Sequence, residues 1–244
     1  MKSSYNKFRV QHPLKRLLLF DIDGTLLTTN GRGRDAFKKS IEDVFGRTFD
    51  PDLISFAGKT DQQILTEILD QMGLIPDHDP DLFRRALKLY SNTMLSLLDA
   101  SWVDKLPGIE QLVRRLADEP EIQLGLLTGN LKETAYLKLT LAGLDGYFPF
   151  GAFGSDHADR YELPPIAVGR AHEFTGHRYE GRQIIIIGDT EHDIGCGRKI
   201  GAVSVAVCTG RFGRAELEPF EPDILLDDLS DADRFLQLVA TSSD

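Results

Sequence analysis

Short runs of apolar residues alternate with amphipathic segments along most of this chain. The runs at 17–20, 124–127, 184–187 and 203–207 are apolar at almost every position and predict buried strands, with weaker candidates at 150–153 and 224–226. Uniformly apolar strands are typical of parallel sheets, which are covered on both faces. Amphipathic patterns at 132–141, 166–174 and 190–200 predict helices between them. This alternation predicts an α/β fold with a doubly wound, Rossmann-like parallel sheet.

The stretch at 34–104 interrupts the alternation, because it shows helical periodicity and no convincing strand. Its apolar residues recur at three- and four-residue spacing and predict three amphipathic helices, the third of them long. Pro107 and Gly108 then mark the return to the alternating pattern. We therefore expect a core formed by residues 1–33 and 105–244, with an α-helical cap domain inserted at 34–104.

Charge and composition narrow the function classes. The chain of 244 residues is 41% hydrophobic and has a formal charge of -10, which disfavours a dedicated nucleic-acid binder. No apolar run approaches the length of about 18 residues that predicts a membrane span, and the first residues lack the apolar centre of a signal peptide. Cys196 and Cys208, the only cysteines, have no metal-ligand partners at useful spacing. We expect a cytoplasmic monomer or homodimer with neither nucleic-acid nor membrane partners.

Polar motifs begin where three of the predicted strands end. They read DIDGT at 21–25, TGN at 128–130 and GDTEHD at 188–193. Because ligands of open parallel sheets bind beyond the carboxyl ends of the strands, we expect the three motifs to converge. Each motif alone has a structural alternative, as a turn or a helix N-cap.

Asp21 and Asp23 point to chemistry on an anionic group. Alternate residues of an extended segment face the same way, so both carboxylates can face one site. Two close carboxylates repel each other by about 4 kcal/mol at an effective dielectric of about 20. A hard cation such as Mg²⁺ would offset that repulsion and would suit a phosphate substrate.

On these motifs the chain resembles the haloacid dehalogenase-like hydrolase superfamily. DIDGTL at 21–26 matches the first family motif, the apolar strand ending in Thr128 matches the second, and the residues at 188–193 match the fourth. The helical insertion and the segment FAGKTD at 56–61 resemble the cap and cap loop of the phosphoglycolate phosphatase-like branch. The resemblance extends from about residue 17 to residue 229.

The resemblance implies a phosphatase whose cofactor is Mg²⁺. It makes Asp21 the nucleophile that forms an aspartyl phosphate, and Asp23 the group that protonates the leaving alcohol and then activates water. It places Mg²⁺ on Asp21, the main-chain carbonyl of Asp23 and Asp189, with Asp193 in or near that ligand set. The residues implied to bind the phosphoryl group or the substrate are Gly24, Thr25, Gly129, Asn130 and the catalytic Thr128.

The third motif departs from the commonest family pattern, in which a lysine precedes Pro-x-Pro. Residues 159–165 read DRYELPP, and Glu162 stands at the lysine position on the proline spacing. We expect Arg160 to take the cationic role, because a guanidinium can hold two oxygens in a fork. The alternative is a surface arginine beside Asp156 and Asp159.

Lys59 is the one cation of the GKT sequence at 58–60. We expect it to contact an anionic part of the substrate distal to the transferred group, and a solvated loop lysine is the alternative. The histidines expected at the surface or in helix caps, because they show no metal-ligand spacing, are His157, His172, His177 and His192.

Three functions remain open on the sequence. The first is hydrolysis of a small phosphorylated metabolite, a phosphomonoester. The second is a phosphosugar mutase that uses the same aspartyl phosphate but passes the phosphoryl group to a sugar rather than to water. The third is a binding or regulatory protein on this scaffold, for which the absent motif lysine is the best support. The intact carboxylates at 21, 23 and 189 favour the enzymatic functions.

Overall fold

A six-stranded sheet lies at the centre of the structure, a computed structural model that describes residues 15–74 and 80–242. In chain order the strands are β1 (Arg16–Phe20), β2 (Leu27–Thr28), β3 (Asp104–Lys105), β4 (Ile122–Leu127), β5 (Gly151–Ala152), β6 (Ile184–Gly188), β7 (Val203–Val207) and β8 (Ile224–Leu226). The large sheet has the order β5-β4-β1-β6-β7-β8, and its neighbouring strands are parallel. The predicted parallel α/β sheet is therefore confirmed, with the strand expected at 150–153 shortened to β5.

Helices cover both faces of this sheet. In chain order they are α1 (Arg32–Phe45), α2 (Asp61–Gln71), α3 (Pro80–Leu97), α4 (Ile109–Ala117), α5 (Lys132–Ala142), α6 (Leu163–Thr175), α7 (Glu191–Ile200), α8 (Arg214–Leu217) and α9 (Ala232–Thr241). Leu18 and Phe20 of β1 pack in one apolar cluster with α4, α5 and α9, whereas Leu17 and Leu19 pack in another with α6 and α7. Alternate residues of a strand face opposite ways, so burial on both faces requires the uniformly apolar run.

The segment between β2 and β3 is helical, and we refer to α1, α2 and α3 as the helical insert. Its helices share an apolar cluster that includes Phe37, Ile64 and Met94 and is distinct from the clusters on the sheet. β2 pairs antiparallel with β3, so the segment that enters the helical insert and the segment that leaves it lie side by side. Strands of two residues are too short to show a sequence pattern, and the sequence did not predict them. The domain boundaries placed at 33/34 and 104/105 stay a prediction.

Parts of the predicted domains lie outside the described residues, namely 1–14, 75–79 and 243–244. In the described ranges, no helix combines the length and the apolarity needed to cross a bilayer. Cys196 is buried and Cys208 is half-buried, and both are free thiols.

Candidate active site

The turns that follow β1, β4 and β6 meet at one edge of the sheet, where they line a cavity of about 430 Å³. Because β1 lies between β4 and β6, the residues at 21–25 stand between the other two motifs. Asp21, Thr128 and Asp189 line the cavity from the sheet, and Phe37 and Tyr90 line it from the helical insert. The expected convergence of the three motifs is therefore what the structure has.

The turn after β1 depends on Gly24. Its φ of 83° lies in the left-handed region, and a Cβ there would stand 2.5 Å from Oδ2 of Asp189. The next residue, Thr25, donates a hydrogen bond from its hydroxyl to Oδ1 of Asp189 at 3.2 Å. Glycine and threonine at these positions thus allow the turn to press against Asp189, which orients that carboxylate toward Asp21.

Three buried carboxylates form the centre of the site. Oxygens of Asp21, Asp189 and Asp193 lie within 4.8 Å of one another. Burial raises the pKa of Asp21 to about 6, although Arg160 opposes the shift. Burial and then the charges of Asp21 and Asp193 raise the pKa of Asp189 well above its usual range. The three carboxylates lie beside the guanidinium of Arg160, so negative charge is in excess at this cluster. Such a set of oxygen ligands fits a hard divalent cation such as Mg²⁺.

Asp193 also stabilises the start of α7. Its Oδ2 accepts hydrogen bonds from the backbone N–H of Thr190 at 3.1 Å and from the Thr190 hydroxyl at 2.7 Å, at the start of α7. Its Oδ1 accepts from Arg160 at 2.5 Å. Protein donors therefore hold both carboxylate oxygens of Asp193. This arrangement suits Asp193 to a place at the edge of a set of metal ligands, where it orients the neighbouring side chains.

Arg160 is the cation that faces the predicted nucleophile. Its side chain is only 3% exposed, and Nη2 lies 3.2 Å from Oδ1 of Asp21 as well as beside Asp193. Burial alone would lower the pKa of Arg160, but the charges of Asp193 and Asp21 raise it. The surface alternative for Arg160 is wrong. Glu162, at the position where the family lysine is usual, instead forms a surface ion pair with Lys199 at 2.6 Å.

The TGN motif serves two purposes. The Thr128 hydroxyl accepts hydrogen bonds from the backbone N–H of Asn130 at 3.4 Å and from its side-chain amide at 2.8 Å. A Cβ on Gly129 would stand 2.0 Å from the carbonyl oxygen of Lys59. The Gly129 carbonyl accepts from the N–H of Asp61 at 2.8 Å. All three residues of the motif line the cavity, and Gly129 also makes room for the loop that precedes α2.

Lys138 is the site residue that the sequence interpretation missed. Its buried ammonium lies 2.6 Å from Oδ2 of Asp23 and 2.6 Å from Oδ1 of Asn130. The Asn130 amide donates to the same oxygen of Asp23 at 2.8 Å. One signal was available, because Lys138 shares a face of α5 with the buried Ala135 and Leu139. A lysine at a core position of a helix indicates a buried partner.

Comparison with known proteins agrees with this geometry. A family model for haloacid dehalogenase-like hydrolases matches residues 18–207. The chain belongs to this family. The matched range includes all three motifs and Arg160.

The similar proteins and solved structures carry several names. The pyrophosphatase PpaX of Listeria innocua is 27% identical over 221 residues, which covers 88% of this chain and 93% of that protein. A predicted phosphoglycolate phosphatase of Haemophilus somnus has a TM-score of 0.69 at 18% identity, over 93% of this chain and 100% of the other. The β-phosphoglucomutase of Clostridium difficile has a TM-score of 0.69 at 19% identity, over 93% and 97%. At these identities the two solved structures show the shared fold.

Lys59 and His192 are less exposed than ordinary surface side chains. Lys59 lines the cavity, but its ammonium is paired with Glu67 at 2.6 Å, and its side chain is 18% exposed. His192, which was expected at the surface or in a helix cap, is half-buried in the first turn of α7. Its Nδ1 lies 3.1 Å from the Tyr161 hydroxyl, and burial lowers its pKa. A Cβ on Gly58 would stand 2.4 Å from the His192 ring. His192 therefore packs against the loop of the helical insert.

Asp61 connects the helical insert to the turn after β4. This first residue of α2 is buried, and its carboxylate accepts hydrogen bonds from the N–H of Leu131 at 2.7 Å and from the hydroxyl of Tyr90 at 3.2 Å. Burial raises the pKa of Asp61 to about 6, and the charge of Lys138 partly opposes that shift. The ionised carboxylate is therefore less favourable in the folded protein than in the unfolded chain.

Replacing Asp61 by Asn should make stability less dependent on pH. The folded pKa of about 6 exceeds the ordinary value of 3.8, so the folded state binds more protons than the unfolded state between those values. Stability of the wild type should fall as pH rises through this window, by at most about 3 kcal/mol from this group. An amide oxygen can still accept from Leu131 and does not ionise.

The measurement is urea unfolding of both proteins at several pH values. The advantage of Asp61→Asn over the wild type should grow between about pH 4 and about pH 7. Asp70→Asn, at an exposed position of the same helix, is the matched control and should show no such growth. A constant difference between Asp61→Asn and the wild type across the range would contradict the prediction.

Proposed function

We propose that this protein is a Mg²⁺-dependent phosphatase that hydrolyses a small phosphorylated metabolite through an aspartyl-phosphate intermediate. The observation that carries the proposal is the placement of Asp21 beside Asp189 and Arg160, with Asp23 held at the same cavity. A nucleophile that is buried, flanked by a cation and backed by further carboxylates suits attack on an anionic phosphoryl group.

The proposed chemistry assigns separate roles to the two carboxyl groups of Asp21 and Asp23. Oxygen of Asp21 attacks phosphorus while the bond from phosphorus to the leaving oxygen breaks, and Asp23 gives its proton to that oxygen. Asp23 then takes a proton from the water that attacks the aspartyl phosphate, which regenerates Asp21. Arg160 stabilises the negative charge around Asp21. Bound Mg²⁺, held by Asp21, the main-chain carbonyl of Asp23 and Asp189, would reduce the repulsion between carboxylate and phosphate.

The substrate is proposed as a phosphomonoester, with inorganic pyrophosphate as the second candidate. The relatives named pyrophosphatase PpaX favour the second candidate. Arg34 and Lys59 line the cavity from the helical insert, where Arg34 pairs with Asp52 at 3.5 Å and Lys59 with Glu67 at 2.6 Å. Exchange of either carboxylate partner for a second anionic group of the substrate supports such a substrate. A formal charge of -10 on the chain supports a metabolite rather than a nucleic acid as the partner. The solved β-phosphoglucomutase shares the fold alone and adds no support to the mutase alternative.

Release of inorganic phosphate from a substrate panel tests the proposal. The panel contains 4-nitrophenyl phosphate, small phosphomonoesters that carry a carboxylate or a sugar, and pyrophosphate, each with and without Mg²⁺. Mg²⁺-dependent release from at least one compound is expected, and the ranking of monoesters against pyrophosphate chooses between the two candidates. Transfer of the phosphoryl group to a sugar without phosphate release would favour the mutase. No turnover of any compound would contradict the proposal.

Lys59 should determine affinity for the distal part of the substrate. For the best substrate of the panel that carries a second anionic group, Lys59→Ala should raise KM about tenfold, the effect of losing one charged hydrogen bond. For 4-nitrophenyl phosphate, which has no such group, KM should change little. Lys39→Ala, on the exposed face of α1, is the matched control, since Lys39 is exposed and forms an ion pair with Asp43 at 3.3 Å. Equal effects of Lys59→Ala on both substrates would exclude this role.

A further inference from the structure

Two cations divide the carboxylates of the site between them. Arg160 contacts Asp21 and Asp193, and Lys138 contacts Asp23. The side chain of Lys138 is 4% exposed, whereas that of Asp23 is 41% exposed and borders the cavity. Lys138 is thus more deeply buried than Asp23, and both side chains line the cavity.

The contacts of Lys138 fix one oxygen of Asp23. Both Lys138 and the Asn130 amide donate to Oδ2 of Asp23, and Lys138 also donates to Oδ1 of Asn130. The Asn130 amide is in turn fixed by its hydrogen bond to the Thr128 hydroxyl. This closed triangle of Lys138, Asn130 and Asp23 holds Oδ2 of Asp23 by two donors. Oδ1 is therefore the oxygen that we assign to the proton transfer.

We propose that Lys138 is a positioning residue that holds Asp23 for proton transfer to the leaving group. The inference rests on the proposed function, because it assigns a role within that reaction. As the bond from phosphorus to the leaving oxygen breaks, the proton of Asp23 passes to that oxygen, and the carboxylate that remains is met by the ammonium of Lys138. A buried ammonium is unfavourable without such a partner, which accounts for its two short contacts with Asp23 and Asn130.

The role makes a prediction that depends on the leaving group. Benzyl phosphate releases an alkoxide that needs a proton, whereas 4-nitrophenyl phosphate releases a stable phenolate that does not. Lys138→Met should lower kcat/KM about 100-fold for benzyl phosphate, within the range for general acid catalysis, and less than about threefold for 4-nitrophenyl phosphate. The ratio kcat/KM is the suitable quantity, because it does not include the later hydrolysis of the aspartyl phosphate.

Matched variants distinguish a positioning role of Lys138 from general damage to the site. Lys132→Met, at an exposed position of the same helix, should leave both rates unchanged. Lys138→Gln keeps one donor and serves as the second variant if Lys138→Met does not fold by circular dichroism. In an Asp23→Asn background, Lys138→Met should cause little further loss on benzyl phosphate, because the residue through which Lys138 acts is already disabled.

The outcomes distinguish this inference from the proposed function. Equal losses on the two phosphates would mean that Lys138 binds the phosphoryl group or only supports the fold, and would overturn the positioning role. Full additivity with Asp23→Asn, or no loss on benzyl phosphate, would overturn it as well. If the wild type hydrolyses neither phosphate with Mg²⁺, the proposed function itself fails, and the inference fails with it.

Discussion

Asp21→Asn should abolish phosphate release while the protein stays folded. An amide is a poor nucleophile toward phosphorus and cannot form the acyl phosphate, so kcat should fall by at least about a thousandfold, as expected when a nucleophile is removed. The background reaction is too slow to hide the loss, because enzymes accelerate phosphomonoester hydrolysis by up to about 10²¹-fold. The assay is phosphate release from the best panel substrate with Mg²⁺ present.

The structure predicts that this variant does not lose stability. Burial raises the pKa of Asp21 to about 6, which means that its ionised form is unfavourable in the folded protein. An uncharged amide avoids that cost, so the melting temperature without Mg²⁺ should equal or exceed that of the wild type. Asp118→Asn, at an exposed position after α4, is the control and should keep full activity. More than a few per cent of wild-type turnover in Asp21→Asn would remove Asp21 as the nucleophile.

Removing divalent cations should suppress turnover completely, and adding Mg²⁺ should restore it. The buried oxygens of Asp21, Asp189 and Asp193 repel one another and repel a phosphate unless a cation neutralises them. Ca²⁺, with its longer and looser coordination, should substitute poorly. Phosphate release in excess EDTA, followed by titration with each cation, gives the measurement. Full turnover in excess chelator would contradict the carboxylate site.

A second readout of the cation does not depend on activity. At a Mg²⁺ concentration about 100 times its Kd, the folded protein should gain about 2.7 kcal/mol of stability. Asp189→Asn should lose most of this gain, because the variant lacks one carboxylate of the cluster. Thermal unfolding of both proteins with and without Mg²⁺ provides the comparison. An equal Mg²⁺-dependent shift in the variant would exclude Asp189 as a ligand.

The central strands were predictable because burial on both faces requires an unbroken apolar run. The pattern at 203–207 matches β7 residue for residue, and the pattern at 184–187 lacks only Gly188 of β6. The helix predicted at 166–174 begins earlier, at Leu163, because Pro164 and Pro165 fit a first turn, where no N–H is needed. Local chemistry therefore determined these elements. Errors occurred where an element begins or ends, and very short strands such as β2 and β3 were not predicted.

The site was predictable only in part, for a physical reason. Motif residues such as Asp21 and Asp189 stand directly after strands, so the sheet topology alone brings them close. Lys138 meets Asp23 across a separation of 115 residues, through the packing of α5 against the turn after β1. Asp61 similarly meets Leu131 across 70 residues. The helical pattern indicates that Lys138 is buried, but it does not identify the partner, since both contacts depend on how distant segments pack.

The central position of β1 has a consequence for how the chain folds. The strand β1 is made first but cannot complete its pairing until β4 and β6 have been made. Leu17 pairs with Gln123 on one side and with Ile184 on the other. Such distant pairings give a high contact order and slow folding. During synthesis the apolar strand remains without its second neighbour for on the order of ten seconds. The nucleophile therefore acquires its surroundings late, and shielding of the newly made first strand by a chaperone should increase the yield of native protein.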